Sequence, residues 1–388
     1  MKSQKILLTL HMLAQGGTDR VACILASGFV RAGYDTTMLV FCNNGEAQEA
    51  LSTLIDTDVK LVFLSHYSIS RPIDLIRLLP KCAAYIAKFK PDFIVSTGNN
   101  INWITAAAVR LSGINGKLIL KITNPLIRTK DKRIKRAIRK LGYNLAFKQA
   151  YLILPLCDAE RKQLITCFPK AKAKFRTVIN PYVTPTMLEQ SEKCSPYPGR
   201  KIVLGVGRFQ AQKRFDLLIR SFALIKDPTA KLVILGDGPE RQACKKLIEE
   251  LELTDRVLLP GFVTNVAAWY QTADVFVLSS NYEGLPAVVL EALAGNCPVL
   301  STNCFPAARE ILEPLAHCGI IDPPSAANIA DSINIALNMQ QSKNLSHAAN
   351  KYSLENGISS HIDCLLASSE HSRSQTLYVV EETPKLPA

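Results

Sequence analysis

The 388-residue sequence has no apolar run long enough to cross a bilayer. Stretches such as Val275 to Leu278 are far shorter than the roughly 18 residues that a membrane-spanning helix needs. Lys2 and Lys5 precede the apolar stretch Ile6 to Leu10 as in a secretion signal, but His11 interrupts it, and a buried strand is the better interpretation. We therefore expect neither a transmembrane helix nor a cleaved signal.

The sequence also lacks cysteines in a redox or zinc-binding pattern. Its eleven cysteines form no CxxC pair and no Cys/His cluster, and most lie in apolar stretches, where a free thiol behaves as a small hydrophobic side chain. Asp56 and Asp58 form an Asp-x-Asp pair, which can chelate a metal, but they precede a predicted strand and are expected to form a turn. These observations favour a reducing cytoplasm and predict no bound metal.

Acidic residues are scarce in one segment of the chain. Between Lys117 and Arg176 there are 17 Lys or Arg residues and three acidic residues, so this segment carries the whole net charge of +13. A concentrated basic surface indicates an anionic partner, and nucleic acid, acidic lipid and an anionic substrate are the candidates. No aromatic stacking platform accompanies the charge, which argues against nucleic acid.

Part of the basic segment has the pattern of an amphipathic helix. Four apolar residues recur there at helical spacing: Ile134, Ile138, Leu141 and Leu145. Basic residues alternate with them, and four are predicted to contact an anionic membrane surface: Arg133, Arg136, Arg139 and Lys140. The alternative is a helix that packs its apolar residues in the core and leaves a solvated basic face.

Short runs of Val, Ile and Leu alternate with longer amphipathic stretches, which is typical of βαβ units and parallel sheets. Strands are predicted at residues 5–10, 35–41, 59–64, 93–96, 118–122 and 152–156, and again at 201–205, 231–235, 257–259, 275–278 and 298–301. The pattern predicts an α/β chain with two Rossmann-like domains, residues 1–180 and 201–345, joined by a proline-rich linker at 181–200. A helical segment at 346–370 and a flexible tail at 371–388 would follow. Ligands are expected in the cleft where the carboxyl ends of the two sheets face each other.

The most informative segment follows the strand at 275–278. Gly284 permits a tight turn, and Pro286 suits the first position of a helix, whose amides and positive dipole end can hold an anion such as a diphosphate. Glu283 precedes this helix and Glu291 lies about two turns along it, so the two carboxylates can reach different groups of one ligand. The alternative is an ordinary helix with two solvated acids.

A second glycine-rich turn follows the first strand of the second domain. Gly207 lets the backbone approach a ligand, while Arg208 and Lys213 bring two cations to the same strand end. Two cations at one point can neutralise a departing diphosphate without a metal.

Together these motifs resemble glycosyltransferase family four, glycosyl transferases group 1, whose members have the GT-B fold and act with retention. The Glu283–Glu291 spacing is that of the EX7E motif, and Gly207-Arg208 to Lys213 is similar to the family's cationic turn. Gly236 to Glu240 and Ala273 to Ser280 also fit the family, and Gly16 to Val21 resembles its GG(A/T)ER loop. The likeness covers almost the whole second domain.

The resemblance implies a role for each motif residue. Arg208 and Lys213 would bind the diphosphate of a nucleotide sugar, Glu283 the transferred sugar and Glu291 the ribose hydroxyls. The same pocket would use further donor-binding residues: Gly17, Gly207, Gly284, Leu285 and Pro286.

One feature of the family is absent. Many members carry a catalytic His after a first-domain strand, where this chain reads Thr123-Asn124-Pro125, so no catalytic His is assigned. His11 is an alternative on the acceptor side, although a lone His beside an apolar strand is usually structural. Three amides after the strand at 93–96 either bind acceptor hydroxyls or make the turn: Asn99, Asn100 and Asn102.

The sequence therefore predicts a retaining, metal-independent hexosyltransferase that uses a nucleotide sugar, UDP-linked by expectation, as its substrate and needs no cofactor. Its acceptor would be a hydroxyl of a cell-envelope glycan or a lipid-linked glycan, and the enzyme would work in the cytoplasm, peripheral to the inner face of the cytoplasmic membrane. One alternative is a non-catalytic carbohydrate- or lipid-binding protein on a decayed transferase fold. A nicotinamide dehydrogenase is disfavoured because no GxGxxG is followed by an acid about 20 residues later.

Overall fold

The computed structural model describes residues 3–13, 16–43, 51, 53–99, 101–126, 133–189, 197, 199–339 and 344–370. Asn100 and the predicted tail at 371–388 lie outside these residues. Within the described part, the chain forms two parallel six-stranded sheets. The predicted α/β architecture with two Rossmann-like domains is confirmed.

The first sheet has the order β3-β2-β1-β4-β5-β6. Its strands are β1 Lys5–Met12, β2 Asp35–Cys42, β3 Lys60–Ser65, β4 Phe93–Ser96, β5 Lys117–Lys121 and β6 Leu152–Leu154. Every pair is parallel, so the segments that carry Thr18, Gly98 and Thr123 all follow the carboxyl ends of their strands. An added Cβ on Gly98 would lie 3.3 Å from Thr18 Cγ2 and 3.5 Å from Thr123 Oγ1, which shows how closely these loops converge.

The second sheet repeats the same topology, with the order β12-β11-β10-β7-β8-β9. Its strands are β7 Ile202–Val206, β8 Lys231–Leu235, β9 Val257–Gly261, β10 Val275–Leu278, β11 Val299–Thr302 and β12 Gly319–Ile321. The sequence did not predict β12, because a strand of three residues gives almost no periodic signal. Pairing with β11 organises it.

Helices cover both faces of each sheet. They are α1 Gly17–Arg31, α2 Arg71–Phe89, α3 Asn102–Ser112, α4 Arg133–Gln149, α5 Asp158–Cys167, α6 Pro185–Leu188, α7 Phe215–Phe222, α8 Arg241–Glu250, α9 Val266–Thr272, α10 Ala287–Ala294, α11 Ala308–Leu312, α12 Ala326–Asn338, α13 Ser346–Asn350 and α14 Leu354–Glu370. None of these helices is both long enough and apolar enough to span a bilayer.

Alternate side chains of each buried strand enter different cores, as expected for a period of two. Leu8 of β1 and Leu204 of β7 belong to one apolar cluster that contains residues of both domains. Leu7 lies in the cluster on the other face of the first sheet, and Val203 lies in that of the second sheet. The shared cluster joins the two domains at their interface.

The chain passes between the domains twice, and the two passages are bonded to each other. The backbone N–H groups of Tyr182 and Val183 both donate to the carbonyl of Tyr352 at 3.0 Å, and α14 then returns to pack on α1. An added Cβ on Gly357 would lie 2.4 Å from Pro181 N, so α14 lies directly against the linker. The start of the linker predicted at 181–200 is therefore packed into the interface.

Candidate active site

The loop between β10 and α10 contacts the first domain at Gly284. An added Cβ on this residue would lie 2.2 Å from the Thr123 carbonyl oxygen and 2.8 Å from its carbon, so only glycine fits. The helix begins at Ala287 with Pro286 at the N-cap, one residue later than the sequence predicted. The two domains thus contact each other directly before the N-terminus of α10.

Lys213 and Glu283 form an ion pair at this helix mouth. Lys213 Nζ lies 2.9 Å from Glu283 Oε1, which also accepts a hydrogen bond from Ser280 Oγ at 2.8 Å. The loops that carry the pair are tied together, because Ser279 Oγ donates to the Lys213 carbonyl at 2.8 Å. The motifs at 207–213 and 279–291, separate in the sequence, therefore form one site.

Arg208 and Gly207 occupy the same strand end. Gly207 has φ of +153°, and an added Cβ would lie 3.1 Å from Lys213 Cε, so this glycine leaves room for the lysine side chain. Arg208 is exposed and has no ion-pair partner among the residues that the structure describes. Its guanidinium is accessible to an anionic ligand.

Glu291 is buried beside a cation that sequence reasoning did not single out. Arg20 Nη1 of α1 lies 2.9 Å from Glu291 Oε1, and Tyr270 OH donates to Oε2 at 3.4 Å. Burial raises the pKa of Glu291 above its ordinary value, and the Arg20 charge opposes this shift. The available signal for Arg20 was its place in the Gly16 to Val21 loop, but only the fold brings this loop to Glu291.

The remaining predicted donor-binding residues lie at the beginning of α1 and in the loop before α10. Gly17 is the first residue of α1, and among the described residues, its chain neighbours and its own helix backbone apart, no atom lies within 4 Å of the position that a Cβ would occupy. Leu285 and Pro286 are buried, and the Leu285 carbonyl accepts a hydrogen bond from Tyr182 OH at 3.0 Å. The donor-binding roles of these residues stay predictions.

The structure favours the turn alternative for the amides after β4. Asn99 Oδ1 accepts from the Thr123 N–H at 2.9 Å, and Asn99 Nδ2 donates to the Asn124 carbonyl. Asn102 is completely buried and donates to the Lys121 carbonyl at 2.9 Å, which favours the turn alternative for this residue too; contact with an acceptor stays a prediction. Both amides brace the end of β5.

His11 lies against α2. Its Nε2 is 3.5 Å from Asp74 Oδ2, and burial lowers its pKa. With Cys42, these residues are the one group of three possible metal ligands found among the described residues. The group does not suit a metal, because Arg77 and Ser68 already donate to the Asp74 carboxylate and burial raises the pKa of the Cys42 thiol to about 11. An acceptor role for His11 stays a prediction.

The apolar residues that recur along helix α4 are not packed in the core, as the alternative interpretation required. It packs on the core through Tyr143, Ala146 and Phe147, whereas the four interleaved apolar residues are 60% exposed or more: Ile134, Ile138, Leu141 and Leu145. Arg133, Arg136 and Lys140 are exposed as well, and Arg139 donates to the Leu126 carbonyl at 3.1 Å. This face is both basic and apolar.

Known proteins with a similar sequence or fold fit this arrangement. The family model described as glycosyl transferases group 1 matches residues 187–355. An uncharacterized glycosyltransferase of Methanocaldococcus jannaschii is 32% identical over 256 residues, which span 63% of each protein. The N-acetylgalactosamine-N,N'-diacetylbacillosaminyl-diphospho-undecaprenol 4-alpha-N-acetylgalactosaminyltransferase of Campylobacter jejuni is 30% identical over 313 residues, 79% of this chain and 83% of that protein.

The fold has solved counterparts. The crystal structure of HepE from Anabaena, in complex with UDP and glucose, is 18% identical and matches with a TM-score of 0.75 over 94% of this chain and 100% of that chain. This likeness identifies the arrangement of two facing Rossmann-like sheets as GT-B. The family match in the second domain, the extended relative and the fold agree: the chain belongs to the glycosyl transferases group 1 family and is a glycosyltransferase with the GT-B fold.

Proposed function

We propose that the protein transfers a sugar from a nucleotide-sugar donor to a hydroxyl acceptor with retention at the anomeric carbon. The observation that carries the proposal is the Lys213–Glu283 pair, 2.9 Å apart at the mouth of α10, beside the exposed Arg208. Cations and helix amides at one point suit a diphosphate, and the adjacent carboxylate suits sugar hydroxyls. UDP is the proposed nucleotide, supported by HepE, whose structure contains UDP and glucose.

The proposed reaction follows a front-face route. The bond between the anomeric carbon and the diphosphate oxygen breaks, the acceptor oxygen bonds to the same face, and the acceptor proton passes to the departing diphosphate. The protein stabilises the charge that grows on this diphosphate through Arg208, Lys213 and the α10 amides. These groups supply the positive charge that a metal provides elsewhere, so we propose a metal-independent reaction.

We propose that the acceptor is a hydroxyl of a lipid-linked or cell-envelope glycan. The name of the Campylobacter relative describes a diphospho-undecaprenol acceptor, and a relative from Erwinia amylovora is named as an amylovoran biosynthesis glycosyltransferase. An acceptor attached to lipid would bring the enzyme to a membrane surface, where the face of α4 becomes relevant.

We expect substitutions of Glu283 and Glu291 to affect different steps, one sugar transfer and the other nucleotide binding. Glu291→Gln should weaken binding of UDP about tenfold, because it removes a charged acceptor for ribose hydroxyls. Glu283→Gln should leave UDP affinity within about twofold and lower sugar transfer instead. Calorimetric titration with UDP, paired with transfer rates, measures both effects; equal losses of affinity would contradict the division of roles.

The same titration has a pH dependence. Burial raises the pKa of Glu291, so its carboxyl takes up a proton at a higher pH than an exposed glutamate. As the pH falls through this raised pKa, the charged acceptor is lost and UDP affinity should decline in the wild type. Glu291→Gln should remove this decline.

The rival function is a non-catalytic carbohydrate- or lipid-binding protein. It shares the fold, but it has no need for the charge arrangement of Arg208, Lys213 and Glu283. Incubation with a panel of labelled nucleotide sugars separates the two functions, because an enzyme slowly hydrolyses its own donor even without an acceptor. Binding of a nucleotide sugar with neither hydrolysis nor transfer to extracted lipid-linked glycans would favour the rival.

We further propose that α4 docks on an anionic membrane. Ile134, Ile138, Leu141 and Leu145 are exposed on the same helix as the basic residues, and an amphipathic helix of this kind lies in the headgroup region with its apolar side chains inserted. Each basic residue near an anionic surface contributes about 1 kcal/mol. The two contributions together support reversible recruitment.

We expect the wild type to sediment with vesicles that contain phosphatidylglycerol at low salt and to be released at about 1 M salt, where the Debye length is about 3 Å. A variant with four basic residues changed to Glu should not sediment: Arg133, Arg136, Arg139 and Lys140. Donor hydrolysis should be unaffected, because the four residues lie on a helix of the first domain, whereas Lys213 and Glu283 lie in the second domain.

The control variant has the same change in net charge at exposed positions outside the basic segment 117–176: Lys81, Lys226, Lys245 and Lys246, each changed to Glu. It should sediment nearly as the wild type does. A second comparison, Ile138→Ser with Leu141→Ser, should weaken sedimentation without any change in charge. If the wild type ignores anionic vesicles at low salt, α4 is only a solvated face.

A further inference from the structure

A buried series of hydrogen bonds links the first domain to the loop between β10 and α10, residues 279–286, which we call the donor loop. Lys121 Nζ, at the end of β5, donates to Asn180 Oδ1 at 2.7 Å. Asn180 Nδ2 donates to Tyr182 OH at 2.8 Å, and Tyr182 OH donates to the Leu285 carbonyl at 3.0 Å. All three side chains are at most 7% exposed, so water cannot easily replace these bonds.

The Leu285 carbonyl determines the direction of every hydrogen bond in this series. A carbonyl only accepts, so Tyr182 donates its proton to Leu285, and the Tyr182 oxygen accepts from the Asn180 NH2. Asn180 Oδ1 is then left to accept from Lys121, which can donate as an ammonium or as a neutral amine. Burial raises the pKa of Tyr182, so the hydroxyl keeps the proton that it donates.

At the other end of this series of hydrogen bonds, Lys121 contacts His361 of α14. His361 Nδ1 lies 2.7 Å from the Gly357 carbonyl, which only accepts, so this nitrogen carries the proton and Nε2 accepts from Lys121 Nζ. Burial lowers the pKa of His361 well below its ordinary value, which keeps the ring neutral. Burial also lowers the pKa of Lys121, to about 7, and its two bonds hold the amine in either protonation state.

A second contact from the same strand end reaches the same loop. The Thr123 carbonyl, two residues after Lys121, lies against Gly284, and Asn99 holds the Thr123–Asn124 turn in place from β4. The end of β5 therefore touches Gly284 directly and reaches Leu285 through Asn180 and Tyr182. Gly284 and Leu285, two adjacent residues of the donor loop, are therefore both held in place by contacts that begin at the end of β5.

We propose that Tyr182 is a positioning residue for sugar transfer, which holds the Leu285 carbonyl so that the N-terminus of α10 is aimed at the diphosphate. Lys121 and Asn180 act through it by fixing the direction of its hydrogen bond. The proposal rests on the proposed function for its effect on catalysis, while its effect on the loop can be measured independently.

Tyr182→Phe removes the hydroxyl and keeps the packing of the ring. Transfer should fall about tenfold in kcat, the value of one hydrogen bond of about 1.4 kcal/mol, with less change in donor KM because the diphosphate gains charge in the transition state. The matched control is Tyr352→Phe. Tyr352 is equally buried, at 7%, and bonds to the Tyr182 segment through its backbone carbonyl, which the substitution keeps, so its kcat should be unchanged.

Asn180→Asp separates positioning from stability. The introduced carboxylate still accepts from Lys121, and it also accepts from Tyr182, so the tyrosine proton turns away from Leu285. The new ion pair with Lys121 should keep the melting temperature at or above that of the wild type, whereas kcat should fall as in Tyr182→Phe. The double variant should lose no more than either single variant, because both break the same bond.

Hydrogen exchange provides the readout that does not depend on activity. The backbone amides of Gly284, Leu285, Ala287 and Val288 should exchange several-fold faster in Tyr182→Phe and in Asn180→Asp than in the wild type or Tyr352→Phe. Unchanged exchange in both variants, or Asn180→Asp with wild-type kcat, would overturn the positioning role. Faster exchange in a protein that transfers no sugar would instead overturn the proposed function and leave the role of Tyr182 in the loop intact.

Discussion

Lys213→Ala is expected to lower the turnover of sugar transfer by about a hundredfold or more without unfolding the protein, the usual range for removing one charge-stabilising group. Lys213 Nζ lies 2.9 Å from Glu283 Oε1, and its side chain is 17% exposed, so its charge is only weakly screened by water. The variant loses this charge and leaves Glu283 without its partner. Arg208→Ala should lower turnover to a similar degree, because Arg208 supplies the second cation.

Rates at saturating donor, with and without EDTA, test this expectation. The wild type should keep most of its activity in EDTA, since side chains neutralise the diphosphate. Lys60→Ala is the control: it breaks an ion pair of similar length, 2.8 Å to Asp35, at the edge of the first sheet, and should leave turnover unchanged. Wild-type turnover in Lys213→Ala, or activity lost in EDTA and restored by manganese or magnesium, would refute the assignment.

Gly284→Ala is expected to reduce kcat/KM by about a hundredfold or more, because displacing a catalytic group by about 1 Å can have an effect of this size. The added Cβ would lie 2.2 Å from the Thr123 carbonyl oxygen, and backbone on both sides of the contact must move to accept it. The donor loop and the first-domain turn would separate. Each sheet keeps its own outer core, so the domains should stay folded.

Gly319→Ala provides the matched control for this substitution. Its added Cβ would meet Leu300 Cδ2 at 3.7 Å, an ordinary van der Waals distance. Circular dichroism should give folded spectra for both variants, and only Gly284→Ala should lose activity. A Gly284→Ala variant with wild-type kcat/KM would show that the contact between the domains is not required during transfer.

The second-domain motifs were readable because each is continuous in the sequence. Gly207, Arg208 and Lys213 lie within seven residues, and Glu283 and Glu291 within nine, so strand–turn–helix order alone indicates where they lie. The first domain gave less information. Asn99 and Asn102 follow a strand and face the right edge, but the sequence does not reveal whether an amide meets a ligand or a neighbouring backbone group, and here it meets backbone.

For α4, the sequence left open whether the interleaved apolar residues face a membrane or the core. Helical spacing of Ile134, Ile138, Leu141 and Leu145 is the ordinary signal for a core-facing side. In the fold, Tyr143 and Phe147 occupy that side instead, because they meet Phe168 and Phe175 across the domain. The sequence period indicates that a helix has an apolar side. Which side is buried depends on the elements that pack against the helix in the fold.

The sequence by itself determined the two parallel sheets and the strand–turn–helix order around residues 207–213 and 283–291, because these depend on local periodicity and on spacing along one turn or helix. The tertiary structure alone decided the contacts between the domains: Arg20 with Glu291, Thr123 with Gly284, and Lys121 through Asn180 and Tyr182 with Leu285. Partners in these contacts are 59 to 271 residues apart in the sequence, except for Asn180 and Tyr182, which are two residues apart. No local pattern encodes such pairings, since they arise only when two separately folded sheets pack against each other.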